Sequence, residues 1–367
     1  MKRLALSLLF VGQALAAPLP IFIGTGGKSE GIYATTFDPE TGKFGEVTVA
    51  AKYNGPGFLV LHPEKPLLYA IGAPTKPYED KSGALAAFKI EGPRELSLLK
   101  EISSGGRGPC HLAIDAKATT IAVANYSDGN ITTIRLDGDG LPEALASVET
   151  HEGAGPNKER QEGPHAHGVY FDKEQRLLVP DLGLDRVWNY SFDPVTSKLG
   201  EATSFQTAPG AGPRHLALTA DNRHAYVINE LDNTVTVFEQ KDGAWTTIEV
   251  QATLPEGWEG TSYTSEIELS EDGKFLYGSN RGHDSIVVFA RDASTGKLTL
   301  VQIAPGGGKF PRHFKIAPGG KWLISAHQND NTITALPLDP TTGKLGAITE
   351  TISCPVPICV LFAPGVK

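Results

Sequence analysis

His167, Arg214, Glu230 and Arg281 supply the residue types needed for proton transfer with a developing negative charge. Histidine or glutamate can take a proton from water, while guanidinium groups stabilise the oxyanion or carboxylate that forms. Ester hydrolysis by water fits this set, with either Glu230 or His167 as the base. Each of the four breaks a repeating position with a charged or titratable group that packing alone does not require. His165, Arg312, His313, Asn229 and Asn280 occupy matching or neighbouring positions and are candidates for substrate contact. Arg107, Arg214, Arg281 and Arg312 suit a phosphate or a carboxylate equally well. No Gly-x-Ser-x-Gly turn and no Cys-His nucleophile pair stands out, which argues against a covalent serine or cysteine route. His165, His167 and Glu230 form a conceivable metal set, but no local ligand motif supports it, so neither metal nor cofactor is expected.

These residues recur at regular distances because the chain repeats. A tight turn leading into alternating apolar residues ends at Phe58, His111, His167, His215, Glu266, His313 and Cys359, with spacings of 53, 56, 48, 51, 47 and 46. Such a period accommodates four short strands and their turns. His215-Leu216-Ala217-Leu218, the turn Ala220-Asp221-Asn222-Arg223 and then Ala225-Tyr226-Val227-Ile228 read as a strand pair; the period of two disfavours a helix. A second hairpin turns through sequences such as Asp38-Pro39-Glu40-Thr41-Gly42-Lys43 and Asp339-Pro340-Thr341-Thr342-Gly343-Lys344, where glycine takes the positive φ. Four strands in seven repeats predict an all-β, seven-bladed β-propeller spanning residues 18–367 as one domain. Cys359 is followed by too little chain for a partner strand, so Pro20 to Gly24 is expected to complete the last blade and remove two open edges. The hairpins then carry the candidate residues to one rim. Six of the ten histidines converge there. His111, His215 and His313 are read chiefly as blade caps bonding loop backbone.

The 367 residues carry 33 Lys plus Arg against 42 Asp plus Glu, a net charge of −9 that disfavours nucleic acid or an anionic membrane as partner. With 41 Gly, 26 Pro and one Met, the composition favours turns over long helices. Met1-Lys2-Arg3, the apolar run Leu4 to Val11 and Ala14-Leu15-Ala16-Ala17 predict a signal peptide over 1–17 and export to the periplasm or exterior. The run is too short to span a bilayer. Three cysteines build no disulfide scaffold, although export permits a Cys354–Cys359 bridge.

Pro164-His165-Ala166-His167, Val179-Pro180-Asp181-Leu182-Gly183-Leu184-Asp185-Arg186-Val187, Gly212-Pro213-Arg214-His215, Asn229-Glu230-Leu231 and Ser279-Asn280-Arg281-Gly282 stand in order at blade spacing. Together they resemble the seven-bladed lactonase family that includes bacterial 6-phosphogluconolactonases and fungal carboxymuconate-cyclising enzymes. The resemblance runs through the whole mature chain. It implies a cofactor-independent lactonase acting on a small anionic or sugar-lactone substrate, with a site at His167, Arg214, Glu230 and Arg281. A carboxymuconate-type cyclase is the enzymatic alternative, and an exported propeller that binds an anionic ligand or a protein without turnover is the non-enzymatic one. The sequence departs from the family in its leader and in Val356-Pro357-Ile358-Cys359, which replaces a glycine-led turn. Outside the cytosol an unphosphorylated sugar lactone or related acid is the expected substrate.

Overall fold

The second strand of each repeat, such as Leu67–Gly72, Thr120–Asn125 and His224–Asn229, is buried along its whole length. Its sequence is correspondingly a near-continuous apolar run. Outer strands such as Lys198–Gln206 are largely exposed and polar. Sheets stacked face to face around a ring produce this gradient, because only the inner strands have neighbours on both faces. The computed structural model describes residues 17–363 and shows seven antiparallel sheets, six of four strands and a seventh of five. The leader read over 1–17 lies, apart from Ala17, outside the described residues. The chain is a seven-bladed β-propeller.

In the last blade Leu19–Thr25 pairs on one side with Gly31–Asp38 and on the other with Pro357–Phe362, setting Ile21 opposite Phe362 and Ile23 opposite Val360. Both ends of the described chain therefore share one sheet, as the repeat predicts. Each core cluster belongs to two adjacent blades: Tyr226, Ile228, Val235 and Val237 of the fourth pack against Ile267, Leu276, Val287 and Phe289 of the fifth.

Polar bonds register neighbouring blades. Tyr69 donates its hydroxyl to Gly140 O, Tyr226 to Gly296 O and Tyr277 to Gly343 O, each reaching the hairpin turn of the next blade. Between the sixth and seventh blades Trp322 Nε1 donates to Pro39 O at 2.8 Å. The recurrent turns are thus docking points as well as reversals. Cys354 and Cys359 are free thiols, so the bridge that export would permit is not formed.

Candidate functional site

The first strand of most blades skips one residue in its ladder. Pro213 faces Asn229 and His215 faces Ile228, which leaves Arg214 as an extra residue. The same skip frees Cys110, Arg312 and Ile358, and in the fifth blade Ser265 and Glu266 lie in the shifted stretch. A β-bulge turns its extra side chain out of the alternation and kinks the strand, so it aims a side chain where regular pairing would not. In the third blade pairing breaks between the Ala166–Asp181 bridge and Tyr170, and His167 sits in that break. These irregularities bring their residues together: the Cys110 thiol lies 3.9 Å from His167 Nδ1, and the charges of Arg214 and Arg312 bear on His167.

Glu230 follows the second strand of the fourth blade, its N–H held by Gly212 O at 2.7 Å. Its carboxylate meets Arg281 Nη2 at 2.7 Å, Arg214 Nε at 3.2 Å and Arg160 Nη2 at 2.5 Å. The Arg214 contact is an ion pair without hydrogen-bond alignment, since that Nε has no bonded partner. Arg214 instead donates Nη1 to Ser265 O at 2.9 Å, and Arg281 donates Nη2 to Thr264 O at 2.7 Å. Burial alone would raise the Glu230 pKa; Arg281 and Arg214, with help from His167 and Arg160, overcome this and hold it well below the usual carboxylate range. Arg312 forms no ion pair among the described residues, and its Nε is buried without a partner. Burial, with Arg214 and Arg281 close by, pushes its pKa down to about 9. Four guanidiniums against one carboxylate leave this end of a net-acidic protein locally cationic.

His167 is buried, and among the described residues its ring nitrogens meet only the Cys110 thiol, 3.9 Å from Nδ1. The other axial histidines are committed. Val169 N–H donates to His111 Nδ1 and Val360 N–H to His313 Nδ1, both at 3.3 Å, while His215 Nδ1 lies 3.1 Å from Glu266 Oε1. The capping role read for His111 and His313 thus appears as bonds to the next blade's backbone, whereas His215 bonds side chains. The Phe58 ring lies tilted 4.4 Å from His111 and edge-on 5.4 Å from His313, and His215 lies 4.9 Å from His111 and 5.4 Å from His167. These rings fill the axis beneath the Glu230 cluster. Burial, then Arg214, lowers the His167 pKa well below the ordinary imidazole value, so it is neutral at neutral pH.

Arg160 was not legible as a site residue. It lies in the connection 151–169 between the second and third blades, the longest between blades and outside any repeat register. That length was the available signal. The connection is clamped by the turn Asp181-Leu182-Gly183-Leu184-Asp185. Asp181 bonds His151 Nδ1 through Oδ2 and accepts His165 N–H at 2.8 Å through Oδ1. Asp185 accepts Gln161 Nε2 at 2.8 Å, next to Arg160, and also the N–H groups of Gly210 and Gly212. A Cβ on Gly183 would collide with the Gly163 carbonyl oxygen. Gly183→Ala is therefore expected to push the clamped segment off its seat and lower turnover about 10²-fold, as an ångström-scale misplacement does. Far-UV circular dichroism should be unchanged, since no strand contains Gly183; activity equal to wild type would show that the seat is unimportant.

Several expected contacts are placed elsewhere. Asn229 Nδ2 donates to Thr234 Oγ1 at 2.8 Å and Thr236 Oγ1 at 2.9 Å, and Asn280 Nδ2 donates to Thr253 O and Ser285 Oγ, each at 3.0 Å. Both side chains are fully buried inside their blades and lock hairpins rather than facing the axis. His165 stacks flat on Tyr126 at 4.4 Å and bonds Tyr126 O through Nδ1 at 3.0 Å. It backs the site instead of lining it with His167 and Glu230, which separates the metal set considered above. No group of three or more His, Cys, Asp or Glu side chains among the described residues is arranged to hold a metal ion. His313 belongs to the axial ring, 3.4 Å from Glu266. Arg107 is exposed and paired with Asp128 at 2.6 Å.

Around buried Glu230 the propeller thus gathers Arg214 from a bulge, Arg281 from a strand end and Arg160 from a connection. The chain belongs to the Lactonase, 7-bladed beta-propeller family, whose profile matches residues 20–362. It is 34% identical over 342 residues to 6-phosphogluconolactonase of Bacillus subtilis, covering 92% of this chain and 96% of that one. Among solved structures, a putative 6-phosphogluconolactonase from Bacteroides fragilis superposes with a TM-score of 0.86 at 33% identity, covering 96% of this chain and 99% of that one. The periplasmic gluconolactonase of Pseudomonas aeruginosa gives a TM-score of 0.89 at 28% identity, over 95% and 99%.

Proposed function

We propose that the protein hydrolyses a sugar lactone carrying an anionic group, a carboxylate or a phosphate, without a covalent intermediate. The observation that carries this reading is the excess of guanidinium over carboxylate around Glu230, with Arg312 unpaired among the described residues. In this mechanism Glu230 holds the attacking water and neutral His167, whose ring nitrogens have no backbone partner among the described residues, takes its proton. Glu230 is committed to Arg160, Arg214 and Arg281, whereas His167 has no ion pair among the described residues, which favours His167 for that step. Arg214 and Arg281, fixed by backbone carbonyls, meet the oxyanion of the tetrahedral intermediate. The proton on His167 then passes to the ring oxygen as it leaves, giving the free hydroxy acid. Export read from residues 1–17 is part of the same proposal and accords with a carboxylated lactone. The relatives' names, 6-phosphogluconolactonase and periplasmic gluconolactonase, support lactone chemistry.

Purified protein assayed by acid release with 6-phosphogluconolactone, glucono-δ-lactone and the monolactone of glucaric acid, corrected for spontaneous opening, tests the reading. His167→Ala should lower turnover about 10²–10⁴-fold, the usual contribution of a positioned base. No catalysed opening of any of the three would discard the proposal.

A further inference from the structure

Glu230 has three guanidinium partners, and they are held differently. Arg214 and Arg281 are 4% and 5% exposed in their side chains and tied to the carbonyls of Ser265 and Thr264. Arg160 is 32% exposed, comes from the long connection 151–169, and has no backbone acceptor for its guanidinium among the described residues. Its other contacts are soft ones: the Tyr263 ring, 5.5 Å away, and the Tyr126 hydroxyl. The main chain beside it is firmly seated through Gln161, which donates to Leu182 O and to Asp185, each at 2.8 Å. The root of the side chain is therefore fixed while its head can leave. Where it now sits, at 2.5 Å, it covers Glu230 Oε1, the carboxylate oxygen not taken by Arg214 or Arg281.

We propose that Arg160 is a movable cap over Glu230 and the residue that selects an anionic substituent on the substrate. It exchanges its ion pair with Glu230 for one with the carboxylate or phosphate of the incoming lactone. The inference rests on the lactonase reading above. A neutral lactone must displace Arg160 and leaves that guanidinium without a partner, whereas an anionic one supplies the replacement. Arg160 thus opposes the wrong substrate as well as attracting the right one, which is how a difference in affinity becomes specificity. Release also uncovers Oε1 for water at the moment of binding, so the carboxylate is shielded until substrate arrives. An ion-paired hydrogen bond of this kind is worth about 10–100-fold in affinity.

The test uses Arg160→Ala and Arg160→Lys in the full chain, with 6-phosphogluconolactone and glucono-δ-lactone as substrates. Wild type is expected to prefer the phosphorylated lactone in kcat/KM; Arg160→Ala should reduce that preference at least ten-fold, mainly through a higher KM for the charged substrate. Arg160→Lys, which keeps the charge but not the planar fork, should fall between. Calorimetric titration with 6-phosphogluconate and gluconate gives a second readout that needs no turnover. Selective loss of 6-phosphogluconate binding in Arg160→Ala, with no lactone opened by wild type, would keep the cap and discard the lactonase reading. Turnover with the preference intact, or equal losses on both lactones, would discard the cap and keep the lactonase. Neither binding nor turnover in wild type would overturn both.

Discussion

Glu230→Gln is expected to lower lactone turnover by at least about 10²-fold and to destabilise the fold by about 3–5 kcal/mol. The two effects have one origin. Arg160, Arg214 and Arg281 all pair with this carboxylate, and Glu230 is buried. An amide keeps the shape but leaves several guanidiniums unpaired in a site that water reaches poorly. Breaking a buried pair from one side carries this cost because the remaining charges have been desolvated without compensation. Thermal melting separates the effects: the variant should melt lower yet retain its strand signal, and activity should be measured well below its midpoint. Wild-type turnover in Glu230→Gln would remove Glu230 from the mechanism, while an unchanged midpoint would show that the arginines find other partners.

The blade count, the closure by Pro20 to Gly24 and the cluster of His167, Arg214, Glu230 and Arg281 were legible because each depends on repeat spacing. An anchor residue and the end of its partner strand are brought to one rim by any tight hairpin, whatever the local detail. Asn229 and Asn280 sit at that rim too, but spacing does not reveal which way a side chain turns. They face the Thr and Ser hydroxyls of the next strand or loop, and short amides suit such hairpin locks. The bulges at Arg214 and Arg312 were not legible because they arise from pairing two strands, not from either strand alone. Arg160 was missed for the opposite reason: it lies in an insertion that obeys no period. The paired aspartates of Asp181-Leu182-Gly183-Leu184-Asp185 were visible as a motif, yet their task of seating a distant loop requires the tertiary contacts.

Acidification should unfold the protein earlier than its carboxylates alone would. His111, His167 and His215 are buried with pKa values well below the ordinary 6.5, and burial pushes His313 and His327 down to about 4. In the unfolded chain each would titrate near 6.5, so between that pH and about 4 the unfolded state binds more protons. Stability is thus fully present above pH 6.5 and falls as pH decreases through this window. For His313 and His327 the loss approaches about 3 kcal/mol each by the bottom of the window. Glu230, also depressed, adds its loss in the same direction at lower pH. Desolvation raises Asp232 to about 6 and also raises Asp172 and Glu268, and these three acids work the other way against the five histidines. Melting temperatures measured from pH 8 to pH 4 should decline most steeply below 6.5, and His327→Gln, away from the Glu230 cluster, should flatten the decline. A midpoint constant to pH 4.5 would contradict the burial of neutral imidazoles as a stability determinant.

Pairing Ile21 with Phe362 also sets a timetable for folding. Closing that sheet joins residues separated by nearly the whole chain, so its entropy is spent last and nothing local accelerates it. On the ribosome the first blades can form while later ones are still being made, but the ring stays open, with two unpaired strand edges, until Pro357–Phe362 emerges. Completion of the ring is therefore a single late event, whereas the contacts of Glu230 with Arg214 and Arg281 lie within the fourth and fifth blades and can form before it.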